Sequence, residues 1–175
     1  MNSSEFKALL KASYSKKIED IVDWKIDHSL SGQRAKVYVN SKTGHVACVH
    51  RGTQGASDWV TDLGLLMGFK NNARFKHAER IQQEAQNKYG KIHYTLGHSL
   101  GASIAEKVGK NSKKILTYNK PIIPIDILKT LPDTQHDVRV ARDPVSILTG
   151  YKSGNAVNTT SVERMYRPGS AEDSA

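Results

Sequence analysis

The chain lacks most of the features that would place it in a disulfide-stapled, membrane-spanning or metal-holding class. Its 175 residues include one cysteine, Cys48, so no intramolecular disulfide can form. Cys48 lies in the apolar run Val46 to Val49 and reads as a small core residue. No hydrophobic run approaches the roughly 18 residues needed to span a bilayer. Residues 1–11 hold no apolar stretch of the secretory type. Internal repeats and an interdomain linker are also missing. The seven histidines show no metal-ligand spacing such as His-x-x-x-His with a third partner. Neither a metal nor an organic cofactor is therefore expected. A chain of this length reads as one domain, 1–175, large enough to bury a real core.

Acidic residues are scarce. Seventeen Asp and Glu face 26 Lys and Arg, for a net charge of +9. Local basic groups at Lys16-Lys17, at Arg74, Lys76 and Arg80, and at Lys107, Lys110 and Lys113-Lys114 read first as solvated faces. They also suit an anionic surface, phospholipid headgroups included. Nucleic acid is disfavoured as a partner, because no zinc-finger, RNP or related signature accompanies the charge.

Periodicity sets out the elements. Ser4 to Lys11 and Ser15 to Val22 read as two short amphipathic helices. Arg34 to Asn40 and His45 to His50 read as a β-hairpin across the turn-rich Asn40-Ser41-Lys42-Thr43-Gly44. The segment from Trp59 to Phe69 is apolar and punctuated by glycine. Ala73 to Tyr89 is a predicted helix with Phe75, Ala78, Ile81, Ala85 and Tyr89 on one face, stopped by Gly90. Strands are expected at Lys91 to Leu96, Lys114 to Tyr118, Asp137 to Ala141 and Ala156 to Tyr166, and a short helix at Ile125 to Thr130. Alternation of strand and helix from about Ala73 to Ala141 implies a parallel sheet.

The segment Tyr94-Thr95-Leu96-Gly97-His98-Ser99-Leu100-Gly101-Ala102 carries the chemistry. A strand-prone run enters Gly-x-Ser-x-Gly, and a helical pattern leaves it through Ala102, Ile104, Ala105 and Val108. A nucleophile elbow needs that strand, a tight turn and then that helix. Ser99 would be strained there, and Gly97 and Gly101 remove the Cβ atoms that would collide. The helix N-terminus would point N–H groups at developing negative charge. The plainer alternative is a glycine-rich turn at a strand–helix junction. A second segment favours the elbow. The strand Val46 to His50 breaks at Arg51-Gly52-Thr53 and continues into Ser57-Asp58-Trp59. An oxyanion hole takes one N–H from the residue after the nucleophile and one from the loop after an earlier strand. Leu100 and Thr53 are the candidates.

In these two motifs and their order, the chain resembles the class 3 lipases, the fungal triacylglycerol lipase group. Those proteins carry Arg-Gly-Thr/Ser after the corresponding strand, Asp/Asn-Trp in the stretch that follows, and Gly-His-Ser-Leu-Gly at the elbow. The resemblance runs from about Arg34 to about Leu148. It implies an α/β-hydrolase-like three-layer sandwich, mostly parallel, opening with an antiparallel hairpin. It also implies an ester hydrolase acting on lipid or small ester substrates. In the family the region matching Trp59 to Phe69 forms or abuts the lid, which makes Asp58 and Trp59 lid or substrate-side candidates. A loop packing Trp59 and Leu63 onto the core is an equal alternative here.

Serine needs a histidine base, and that base needs a carboxylate to fix its tautomer. Asp143 is the leading acid, since Arg142-Asp143-Pro144-Val145 closes a predicted strand and looks like the region carrying the family's acid. A turn-capping role is its plainer alternative. Asp133 and Asp137 are the other candidates, Asp137 being expected to start its strand at the wrong end of the sheet. Residues 144–175 contain no histidine. His98 is expected to point away from Ser99, His50 is a poor local substitute, and His136 is expected far from Ser99. Three explanations stand: a C-terminally truncated chain, a base supplied by a partner, or a non-catalytic member that binds anionic lipid or protein. Truncation of an active lipase-like esterase is favoured, because Ser99 is kept between two glycines. A thioesterase or peptidase is a weaker reading, since Arg-Gly-Thr with Asp-Trp points to the lipase branch.

Overall fold

The computed structural model describes residues 1–52, 73–120 and 133–138. Helix α1 (Ser3–Ser13) comes first, then strands β1 (Trp24–Ile26), β2 (Ala35–Asn40) and β3 (Val46–His50). Helix α2 (Ala73–Tyr89) leads to β4 (Ile92–His98), α3 (Leu100–Val108), a 3-10 turn at Gly109–Asn111, β5 (Ser112–Tyr118) and β6 (Gln135–Val138). The six strands form one sheet in chain order. The β1–β2 and β2–β3 pairs are antiparallel, and β3 through β6 run parallel. This is the α/β architecture expected, with its hairpin in the register Val39 to Val46 and Ala35 to His50.

Helices cover both faces, which is why the central strands carry little alternation: every residue of β3 is buried. On one face, Phe6, Leu9 and Leu10 of α1 pack against Tyr38, Ala47, Val49, Leu96, Leu116 and Val138. On the other, Ile81 and Ala85 of α2 meet Ala35, Val37, Val46, Cys48 and Ile92. Phe75 and Ala78 of α2 also join Ile104 of α3. Cys48 is fully buried, and burial pushes its thiol up to about 12. It is the inert core residue its sequence context implies.

Local chemistry sets the helix ends. The Asn2 side chain accepts from the Glu5 N–H at 2.8 Å and starts α1. Gly90, at φ 75°, donates to Gln86 O and stops α2 at Tyr89, the predicted boundary.

The second predicted helix, Ser15 to Val22, does not form. Ile21 and Trp24 instead exchange two backbone hydrogen bonds of 2.8 Å, and Val22 takes φ 52° with its side chain exposed. The Asp20 side chain accepts from Ile26 N–H at 2.8 Å. Ile18 and Ile21 still pack against the α1-side core. The apolar contact that suggested a helix is thus met by an irregular segment, which β-branched residues favour over a helical one. That segment leads into β1, a three-residue strand too short to leave a periodic signal.

Candidate active site

Parallel strands β3, β4 and β5 end together, with His50 beside Gly97 and His98 beside Tyr118. Ser99 follows β4 directly and precedes the first residue of α3. Its backbone sits at φ 57°, ψ −122°, a combination that a residue with a Cβ adopts only when its surroundings force it. Three features impose it. The Ser99 N–H is held by Tyr118 O at 2.9 Å, and Ala102 N–H bonds back to Ser99 O at 3.0 Å. A Cβ on Gly97 would run into the carbonyl of Gly101. A Cβ on Gly101 would meet the backbone of residues 50–52, with Gly52 N and Arg51 C both at 2.8 Å.

Gly52 is packed as tightly. A Cβ there would stand 2.5 Å from His98 O and against the Tyr14 hydroxyl. Glycines 52, 97 and 101 thus let three backbone segments touch, and the loop leaving β3 is brought against the turn at Ser99. Ser99 is 3% exposed, and its side chain does not cap α3. Leu100 is buried at the helix start, where backbone N–H groups have no intrahelical acceptor.

His98 turns to the α1 face of the sheet. Its Nδ1 lies 2.6 Å from the Tyr14 hydroxyl, and its ring stacks on Tyr118 at 5.5 Å. Beside it, Leu10, Tyr14, His98 and Tyr118 line a cavity of about 260 Å³, with Lys7 and Lys11 also on its wall. His50 turns to the opposite face. It is buried, and its Nε2 pairs with Gln82 Oε1 at 3.0 Å. Gln82 in turn donates to Thr95 Oγ1 and Asn111 Oδ1. Burial pushes the His50 imidazole down to about 4, against a small upward pull from Gln82. It is neutral at pH 7 and committed to a structural partner. His136 lies within β6 beside Leu116, two strands from β4.

Asp137 does not begin its strand. It is the third residue of β6 and is buried in an ionic cluster. Lys120, 3% exposed, lies 3.0 Å from Asp137 Oδ2 and also pairs with Glu106 of α3. Gln135 Nε2 donates to both acids, at 2.6 and 3.0 Å, and Thr117 Oγ1 donates to Asp137. Burial alone would lower Lys120, but the two carboxylates outweigh it and hold the ammonium above its ordinary value. Burial alone would raise Asp137, but Lys120, Thr117 and Gln135 hold its carboxyl below the ordinary range. Sequence reasoning missed this cluster, since Lys120 precedes a proline in what reads as a link and Glu106 sits on a helix face rich in charge.

Among the described residues no group of three or more His, Cys, Asp and Glu could hold a metal ion, and no helix is long and apolar enough to cross a membrane. Thr53, Asp58, Trp59 and Asp143 lie outside the described residues, as do the helix expected at Ile125 to Thr130 and the strand expected at Ala156 to Tyr166.

Comparison with solved structures finds a fungal lipase determined as an inhibitor complex. It is 17% identical with a TM-score of 0.55, over 83% of this chain and 72% of the lipase. The expected class 3 lipase-like fold is therefore the fold of the chain. No curated protein sequence matches. The sequence model of the Tle-like phospholipase domain matches residues 3–159, and the chain belongs to that phospholipase-like family.

Proposed function

We propose that the chain is a serine hydrolase domain, 1–175, that cleaves carboxylic esters of lipids, with Ser99 as nucleophile. The observation that carries this reading is the backbone of Ser99, strained at φ 57°, ψ −122° between β4 and α3. Such strain persists only where the surroundings over-determine it, and it collects at functional sites. Ser99 Oγ attacks the ester carbonyl, the alcohol leaves, and water releases the acyl group. The N–H groups of Leu100 and Thr53 hold the oxyanion. Placement of Gly52 against His98 and Gly101 supports the share given to Thr53, the next residue. Gly97, His98 and Gly101 shape the turn, and Asp58 and Trp59 belong to the substrate side. The apolar cavity beside His98 suits an acyl chain, and the +9 charge suits an anionic lipid surface.

The base is a histidine oriented by Asp143. His50 is unsuited to the task, because it is held by Gln82 and its affinity for protons is low. The reading therefore leaves the identity of that histidine to experiment. The test is hydrolysis of short-chain p-nitrophenyl esters by three proteins: this chain, its Ser99→Ala variant, and a longer form carrying native residues beyond Ala175. Turnover by the longer form, abolished by Ser99→Ala, is expected. Folded but inert proteins in all three cases would overturn the reading.

The want of a histidine after Asp143 favours a second reading, a lipase-fold protein that binds anionic lipid without cleaving it. Binding of the 175-residue chain to anionic vesicles, unchanged by Ser99→Ala and without ester turnover by the longer form, would select it.

A further inference from the structure

Tyr14 is the C-cap residue that follows α1, far in sequence from both glycine motifs. Its hydroxyl nevertheless stands where they meet. It lies 2.6 Å from His98 Nδ1 and 3.4 Å from His98 O, and the Gly52 backbone N–H is hydrogen-bonded to it. A single hydroxyl can donate once and accept twice. Here it accepts from Gly52 and bonds to the His98 imidazole, as the donor when Nδ1 is unprotonated, so one atom ties the end of β4 to the loop leaving β3. Burial pushes the phenol up to about 12, against smaller downward pulls from Arg51 and Gly52. It therefore stays a neutral hydroxyl throughout the neutral pH range. Its ring meets the His98 ring edge-on at 5.5 Å.

The helix end carrying Tyr14 is itself fixed from the sheet. Lys36, the second residue of β2, is 1% exposed. Its Nζ donates to Ala12 O at 2.5 Å and Ser15 O at 2.7 Å, the carbonyls on either side of Tyr14. A lysine is rarely buried so completely, and here its charge meets the negative end of a helix. The chain of contacts runs from β2 through Lys36 to the end of α1, through Tyr14 to His98 and Gly52. Those two residues immediately precede Ser99 and Thr53.

We infer that Tyr14 is a positioning residue, whose hydroxyl sets the distance between the turn at Ser99 and the loop that begins at Gly52. The inference rests on the reading of Ser99 and Thr53 given above. The nucleophile and one proposed oxyanion donor, Thr53, belong to separate segments, and an ångström of drift between those segments weakens transition-state binding more than substrate binding.

Tyr14→Phe keeps the ring and removes only the hydroxyl. In whichever of the proteins tested above cleaves esters, kcat should fall at least about tenfold with KM little changed. The backbone amide resonances of Gly52 and Leu100 should shift in the 175-residue chain, while the thermal transition stays cooperative. Unchanged kcat with unmoved amide resonances would overturn the inference, as would a rise in KM alone. Should the wild-type protein cleave no ester, the reading of Ser99 fails, and the amide resonances alone decide the placement by Tyr14. Should Tyr14→Phe not fold, the imidazole nitrogens of wild-type His98 decide. An unprotonated, hydrogen-bonded Nδ1 across the neutral pH range supports the inference, and a freely exchanging mixture of tautomers overturns it.

Discussion

Lys120→Met should be among the most destabilising single changes available in this chain. The substitution keeps an unbranched side chain in the buried site and removes the ammonium. Asp137 then remains buried with no cation, beside Glu106. Breaking a buried ion pair in this way costs about 3–5 kcal/mol, most of it the stranded charge. For a protein of this size that is a fall in Tm on the order of 10 °C. The sign of the pH dependence is a sharper test. In the wild type the Asp137 pKa is held below its unfolded value, so its stabilisation is present above the unfolded pKa and lost as pH falls through the folded one. In the variant the pull of Lys120 is gone, and burial and Glu106 raise the Asp137 pKa against only the hydrogen bonds from Thr117 and Gln135. Its charge then contributes less stability at neutral pH than in the wild type, and acidification removes less. The gap between the two proteins should be widest near pH 7, narrow as pH falls, and close only below about 4, the unfolded aspartate value, as the wild-type Asp137 takes up its proton. Urea titrations at stepped pH measure it. Lys120→Met with Asp137→Asn should regain most of the loss, since Asn keeps an acceptor for Thr117 and Gln135 and Glu106, only partly buried, turns to water. A neutral-pH loss below about 1 kcal/mol, or a gap that does not change with pH, would refute the reasoning.

Two further perturbations follow from the packing. Gly101→Ala drives a methyl into the backbone of residues 50–52 and should cost about 3 kcal/mol or more in urea unfolding. Gly32→Ala meets nothing within 4 Å and should be neutral or stabilise by up to about 1 kcal/mol; equal effects at the two sites would contradict the close backbone contact. His50, lowered to about 4 by burial, should stay neutral in the folded protein as the unfolded chain takes up a proton below about pH 6.5. Because the unfolded state binds more protons between those values, this group removes stability as pH falls from about 6.5 to 4. Imidazole proton resonances check it, and a His50 midpoint near 6.5 would refute the burial argument.

Legibility in the sequence followed the range of the forces involved. Helix α2 was readable end to end because its apolar stripe is regular and Gly90 marks its stop. The hairpin was readable because a turn-rich run separates two β-prone runs. The junction at Ser99 was readable because glycines at 97 and 101 are what such a backbone needs. The segment 15–22 was misread: its apolar spacing fits a helix, while its hydrogen bonds are made by Asp20 and Trp24 from a non-helical path. Contacts between distant segments left no mark at all. Nothing around Lys36 announces that a lysine in a β-strand will cap a helix. Nothing around Tyr14, Glu106 or Lys120 announces a partner 84, 29 or 14 residues away. Such pairs are chosen by the folded topology, which periodicity does not encode.

The most direct test of the central claim is covalent labelling of the longer form with a fluorophosphonate, followed by mass spectrometry of its peptides. A single phosphonate on Ser99, prevented by prior unfolding and by Ser99→Ala, is the predicted result. A folded protein labelled at another residue, or not labelled under conditions that modify an active serine hydrolase, would contradict the assignment of Ser99 as nucleophile.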